Sequence, residues 1–203
     1  HRSHSVEDLL RFMERGDLPI ADDGCIIGYK VLNRARYAND IYVDCHTGRI
    51  QQKVGSRVYV DESLVDRNRQ NECSNGLHVA RRAYIRSFRG SVCVLVKIAP
   101  ENVVTVPHKD ANKVRVSEYH ILAELTPQMF QRIKQDNDIT NTEEGQILLA
   151  KIIKGDHIGV TQDVHVKAQA GMDVEYTDLS FGKEIAKPKV ETPEITNFSI
   201  EDR

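Results

Sequence analysis

The amino-acid sequence predicts an α+β fold, a mainly antiparallel sheet with a few short helices. Seven short β-type segments succeed one another between Cys25 and Leu125, beside only two short helical patterns at residues 5–16 and 81–88. The chain has 203 residues, enough for a real core, and at about 150 residues per domain it is one domain with an appendage or two small ones. With 40% hydrophobic and 29% charged residues, the composition is that of a soluble globular chain and excludes a fibre or wholesale disorder.

Ser5-Val6-Glu7-Asp8 reads as an N-cap with an acidic first turn, and Val6, Leu9, Leu10, Phe12 and Met13 fall on one helical face before Gly16 stops the helix. After the Pro19–Gly24 turn the pattern changes to strands at Cys25–Leu32, Ile41–Asp44 and Arg57–Val60. Asp61–Ser74 is polar, holding Asp61, Glu62, Asp66, Arg67, Asn68, Arg69, Asn71 and Glu72, and is expected to form a long solvated loop, of the kind more often functional than accidental. Gly76–Val79 then starts a strand, and Arg81–Phe88 a short helix with Tyr84, Ile85 and Phe88 closed by Gly90. Strands are expected again at Val92–Ile98, which Pro100 ends, at Val103–Val106 and over the alternating stretch Val114–Leu125. Thr126-Pro127 supplies an N-cap and an N1 proline for a helix to about Gln135, and Glu143–Lys154 a second helix before Gly155. The remainder alternates weakly around Val160, Val164 and Val166, and the charged, proline-bearing Lys187–Arg203 reads as an extended or disordered tail. The expected organisation is therefore a module over residues 1–134, a small appendage over 135–182 and a tail over 183–203.

Twenty-eight Lys and Arg against 30 Asp and Glu give a net charge of −2, so there is no overall basic field for nucleic acid. The longest apolar runs, such as Val92–Val96, are strand-length, which allows peripheral membrane association at most. Cys25, Cys45, Cys73 and Cys93 form no C-x-x-C pair and read as reduced thiols of a cytosolic protein. His1 stands in place of an initiator methionine and no targeting signal follows, which reads as a trimmed fragment or a processed product.

Two clusters offer chemistry: Asp44-Cys45-His46-Thr47-Gly48 and Cys73-Ser74-Asn75-Gly76-Leu77-His78. Each puts a thiol and an imidazole at a strand end beside a glycine turn. Cys45, His46, Cys73 and His78 would together complete a tetrahedral zinc site, although adjacent residues of a strand point to opposite faces. His46 and His78, with Glu118 as carboxylate, would instead suit acid–base work or nucleotide binding on a small ADP-ribosyltransferase-like sheet. The plainer alternative is that both clusters are turns held by hydrogen bonds. Arg81, Arg82, Arg86 and Arg89 would make an anionic-ligand face on one short helix or, more ordinarily, a solvated one. Phosphate-loop, dinucleotide-binding, nucleophile-elbow and H-E-x-x-H patterns are absent from the sequence.

The order of several motifs resembles the C-terminal half of the rIIB lysis-inhibitor proteins of T-even-type bacteriophages. The resemblance rests on Asp17-Leu18-Pro19-Ile20 through Cys25, Gly28-Tyr29-Lys30-Val31, Tyr42-Val43-Asp44-Cys45-His46, Cys73-Ser74-Asn75-Gly76-Leu77-His78-Val79, Tyr84-Ile85-Arg86, Val103–Pro107, and Lys113-Val114-Arg115 with Tyr119, between about Leu9 and Phe130. It implies a phage early protein without an established enzymatic activity. Such a protein is associated with the infected cell's membrane, works with the ATPase-like partner rIIA, and is tied to lysis timing and protection against prophage-encoded exclusion. The family's N-terminal half, with its helix-turn-helix-like segment, has no counterpart here, and neither does the region after Gln131 in the family. Ala80 stands where the family tends to carry a cysteine, which weakens a metal reading of that loop.

The expected function is that of a non-enzymatic interaction protein of the rIIB type, acting in lysis timing or protection against exclusion, in the host cytoplasm or peripherally on its inner membrane. The alternatives are a proteolytically trimmed virion structural protein and a small nucleotide-binding or ADP-ribosyltransferase-like enzyme. No cofactor is expected. Expected partners are proteins, an rIIA-like ATPase or other phage proteins, with homo-oligomerisation allowed and no strong nucleic-acid signal. The candidate ligand cleft is His46, Asp44, Asn75 and His78, and the candidate metal ligands are Cys45, Cys73 and His78.

Overall fold

The computed structural model describes residues 3–14 and 16–180, so the expected tail over residues 183–203 lies outside the described residues. In chain order the elements are α1 (Ser3–Glu14), β1 (Ile26–Arg34), β2 (Tyr42–Asp44), β3 (Gln51–Gln52), β4 (Ser56–Val60), β5 (Leu77–Ala80), α2 (Arg82–Ile85), β6 (Val92–Ile98), β7 (Val103–Thr105), β8 (Lys113–Val116) and β9 (Glu118–Glu124). They continue with α3 (Pro127–Lys134), α4 (Glu143–Ile153), β10 (Gln162–Val166) and β11 (Val174–Asp178). The α+β class read from the sequence is the observed one.

β1 is the axis of a single sheet. One of its edges pairs antiparallel with β6, from Ile26 opposite Ile98 to Leu32 opposite Val92. The other edge forks: Tyr29 faces Ala80 of β5, whereas Leu32 to Arg34 face Asp44 to Tyr42 of β2. From β6 the sheet continues through β9, β4 and β10 to β11; from β5 it continues through β8 to β7; and β2 carries β3. Every pairing is antiparallel except β4 with β10. That parallel contact requires a long crossover, and residues 61–161 supply it.

The sheet rolls about an apolar interior built from Leu32, Val58, Val94, Val96, Ile121 and Val164 on five different strands. Its two arms meet where β3 approaches β11. The Gln51 amide donates to the Tyr176 hydroxyl at 2.9 Å, and a Cβ on Gly171 would lie 2.8 Å from Ile50. The opposite face carries Ile27, Tyr29, Val31, Cys93 and Leu95, covered by Ile85 of α2, Phe130 and Ile133 of α3, and Leu149 and Ile152 of α4. β6 is thus buried on both faces, which is why its sequence reads as a continuous apolar run rather than an alternation. Thr126 caps α3 by accepting from the Met129 amide, and Thr142 caps α4 by accepting from Gly145.

Several boundaries differ from the sequence reading. α1 begins at Ser3, so Ser5 lies within the helix rather than at its cap. Val114–Leu125 is two strands, because Ser117 turns the chain: its amide donates to Asn102 and its carbonyl accepts from Val60, each at 2.9 Å. The side-chain alternation shows this slip, stepping by two to Val116, by three to Tyr119 and by two again to Ile121. β3 is too short and β11 too exposed to show a period. Within the expected appendage over residues 135–182, α4 packs on the helical face and β10 pairs with β4.

Gly28 is required where β1 meets β5, since a Cβ there would come within 2.4 Å of Val79. Gly28→Ala is expected to lower the stability by about 1–3 kcal/mol through overpacking, read as a reduced urea midpoint with an unchanged m value.

Candidate functional site

Both sequence clusters lie at the fork of β1. Asp44 ends β2 and closes the following turn: its carboxylate accepts from the Thr47 amide (2.6 Å) and hydroxyl (2.9 Å), and from the amides of Arg49 (3.0 Å) and Ile50 (2.9 Å). Burial opposes its ionisation, but the donors from Ile50, Thr47 and Arg49 outweigh it and hold the carboxyl below its usual range. Asp44 is therefore spent on its own turn. Cys45 packs toward the helix-covered face, with its sulfur 3.5 Å from the Val31 carbonyl, and burial pushes its thiol up. His46 is exposed.

On the other arm Cys73 and Asn75 are exposed, and the Asn75 carbonyl accepts from the Asp66 amide at 2.9 Å. His78 is partly buried on β5, and its Nε2 is enclosed without a hydrogen-bond partner. Burial, followed by the fields of Lys30, Lys113, Arg115 and His46, drives its pKa down to about 3, so the ring is neutral at pH 7. Lys30 spans the fork between the two clusters, its ammonium donating to the His78 carbonyl at 2.8 Å and lying 4.9 Å from the Tyr119 ring. Burial lowers the Lys30 pKa to about 8 against the opposing pull of Asp44 and Cys45.

The four-residue zinc set is not assembled. Cys45 turns to the helical face while Cys73 stands exposed beside Lys113, and among the described residues no group of three His, Cys, Asp or Glu side chains is gathered as metal ligands. The acid–base scheme fails to assemble as well: Glu118 opens β9 opposite Tyr59, with β6 and β1 between it and β5. The arginine face of α2 is divided. Arg81 is buried over the Phe12 ring and bonded to Asn112; Arg82 lies among Asp17, Asp136 and Asp138 at 3.9, 3.2 and 3.6 Å; Arg86 and Arg89 are exposed.

The polar loop expected over Asp61–Ser74 is organised by Arg115, whose side chain has 0% exposure. One guanidinium nitrogen donates to the carbonyls of Asn68 (2.9 Å) and Asn71 (2.7 Å), and the other lies 3.2 Å from Asp66. Asp66 in turn accepts from the Asn68 amide and the Asn71 side chain, and its own carbonyl accepts from Thr105. The loop thereby acquires internal bonds over the buried Arg115 side chain.

The family described as Bacteriophage T4 protein rIIB matches residues 2–129. The chain belongs to the rIIB family. Protein rIIB of Enterobacteria phage T4 is 32% identical over 128 residues, a stretch covering 61% of this chain and 39% of that protein. No solved structure matches the chain. The rIIB-matched span holds β1 to β9 and both clusters, and it ends within α3. Lys30, Lys113 and Arg115 lie inside the motifs that carry the rIIB resemblance, but single cations on strands give no sequence signal of burial. Their placement emerges only from the pairing of β1, β5 and β8.

Hydrogen bonds from Ser74, Asn71 and the Asn68 amide, with the Arg115 charge, hold the Asp66 carboxyl down at about 2. The folded-state pKa lies below the usual 3.8, so its stabilisation is complete above about pH 4 and is lost as pH falls toward 2. Asp66→Asn is therefore expected to lower the thermal midpoint at pH 7, and the difference from wild type is expected to vanish near pH 2 in a thermal-melt series.

Proposed function

We propose that this rIIB-family chain works by binding a protein partner, in lysis timing or in protection against exclusion, and that the partner is an ATPase-like protein of the rIIA type. It acts in the host cytoplasm or peripherally on the inner membrane, without catalysis of its own. The observation that carries this reading is an apolar groove between α1 and the start of β1, lined by Phe12, Met13, Leu18, Ile20 and Ile26. Ile20 in its lining remains 48% exposed, Leu10 on the same helix as Phe12 and Met13 is 52% exposed, and Asp17 and Arg81 add charge to the lining. Apolar anchors with a charged margin suit protein association. Two further points support the reading: Asp44 is committed to its own turn, and Glu118 is separated from the two histidines. Among the described residues no helix is long and apolar enough to cross a membrane.

Leu10→Glu with Ile20→Glu places two charges on exposed positions, so the fold is expected to survive. Co-expression with the rIIA-type protein, followed by titration of the purified components, is expected to show affinity weakened about thirtyfold or more, as for loss of a central apolar anchor. Unchanged affinity would remove the groove as the interface, and absence of any complex with the wild-type chain would remove the partner.

A further inference from the structure

Antiparallel pairing of β5 with β8 puts His78 opposite Arg115 and Ala80 opposite Lys113. Alternate residues of a strand share a face, so His78, Lys113 and Arg115 project from the same side of this ladder. Lys113 is only 4% exposed. Its ammonium lies 3.6 Å from the Cys73 sulfur and 4.9 Å from the Tyr84 ring, and among the described residues it forms no ion pair with a carboxylate. An ammonium out of water normally has an anion beside it, because a thiol and a ring face replace little of its hydration. The same face holds two enclosed nitrogens without acceptors, His78 Nε2 and Arg115 Nε.

The acids around it have other partners. Asp66 is engaged by Arg115, Asn68 and Asn71, Glu72 accepts from the Lys109 amide and Asp110 from the Asn112 amide. The face therefore keeps one uncompensated positive charge and three nitrogens able to donate, with His78 in its Nε2–H tautomer. Its roof is the exposed turn at Cys73 and Asn75, so solvent reaches its margin.

We propose that this face is a binding site for a small oxyanion of the phosphate class, held between Lys113 and His78 beside Arg115. Lys113 supplies the charge, moving from the Cys73 sulfur to an anionic oxygen, and His78 and Arg115 each donate one hydrogen bond. None of Lys113, His78 and Arg115 lines the α1 groove, and the proposal does not depend on that groove having a partner.

The test is a nitrogen-15 NMR titration of the full chain with inorganic phosphate and, separately, adenosine monophosphate, each against sodium chloride at equal ionic strength. Inorganic phosphate is expected to shift the Lys113 Nζ and His78 Nε2 resonances saturably, with binding weakened at least tenfold in Lys113→Met and unchanged in Arg86→Gln, whose arginine is exposed. Tighter binding of adenosine monophosphate with the same resonances moving would keep the site and assign the phosphate to a nucleotide. Shifts no larger than those from chloride, or equal binding by Lys113→Met, would overturn the proposal. Should Lys113→Met fail to fold, the wild-type titration and His78→Phe, which lacks the ring nitrogens, decide it in the same way.

Discussion

The architecture depends on the demand that β1 be hydrogen-bonded along both edges and covered on both faces. Its nine residues meet β6 on one side and divide between β5 and β2 on the other. A strand so enclosed leaves no room for an unsatisfied backbone group, so each neighbour must arrive in a fixed register. Gly28 is the sharpest sign of this, since the backbone there lies too close to Val79 for any side chain. Burial of β1 and β6 on both faces then forces two cores, one inside the rolled sheet and one beneath the helices.

The fork follows from the same constraint. Two strands cannot share the whole edge of β1, so β5 and β2 diverge after Lys30, and the polar residues at their ends gather where backbone pairing stops. Lys30 bonds across the opening to His78, while Arg115 fastens the 61–76 loop over the β8 side. The outcome is a cationic region held by structural hydrogen bonds, in which the acids are already used and a buried lysine is left without a counter-charge.

Arg115 also explains why a stretch as polar as Asp61–Ser74 is ordered. A guanidinium at zero exposure must spend its donors on acceptors, and here they are main-chain carbonyls of the loop itself. One nitrogen of the cation is thus bonded to the loop and another faces Asp66, while Nε is left without an acceptor.

The sequence by itself determined what local chemistry decides. The apolar run of β6, the Thr-Pro start of α3 and the end of α4 before Gly155 are legible, because periodicity and capping act over a few residues, whereas the break at Ser117 within Val114–Leu125 was not read. The ordered motifs from Asp17 to Tyr119 likewise marked the rIIB family. The site was legible only as two separate clusters, and the zinc and acid–base groupings drawn from them did not assemble, since spacing along the chain carries no record of which face Cys45 takes or how many strands separate Glu118 from β5. Tertiary structure alone decided the fork, the meeting of β3 with β11, the placement of β10 beside β4, and the burial of Lys113 and Arg115. These are non-local pairings between residues tens of positions apart, and a strand's own sequence does not specify which edge it will meet.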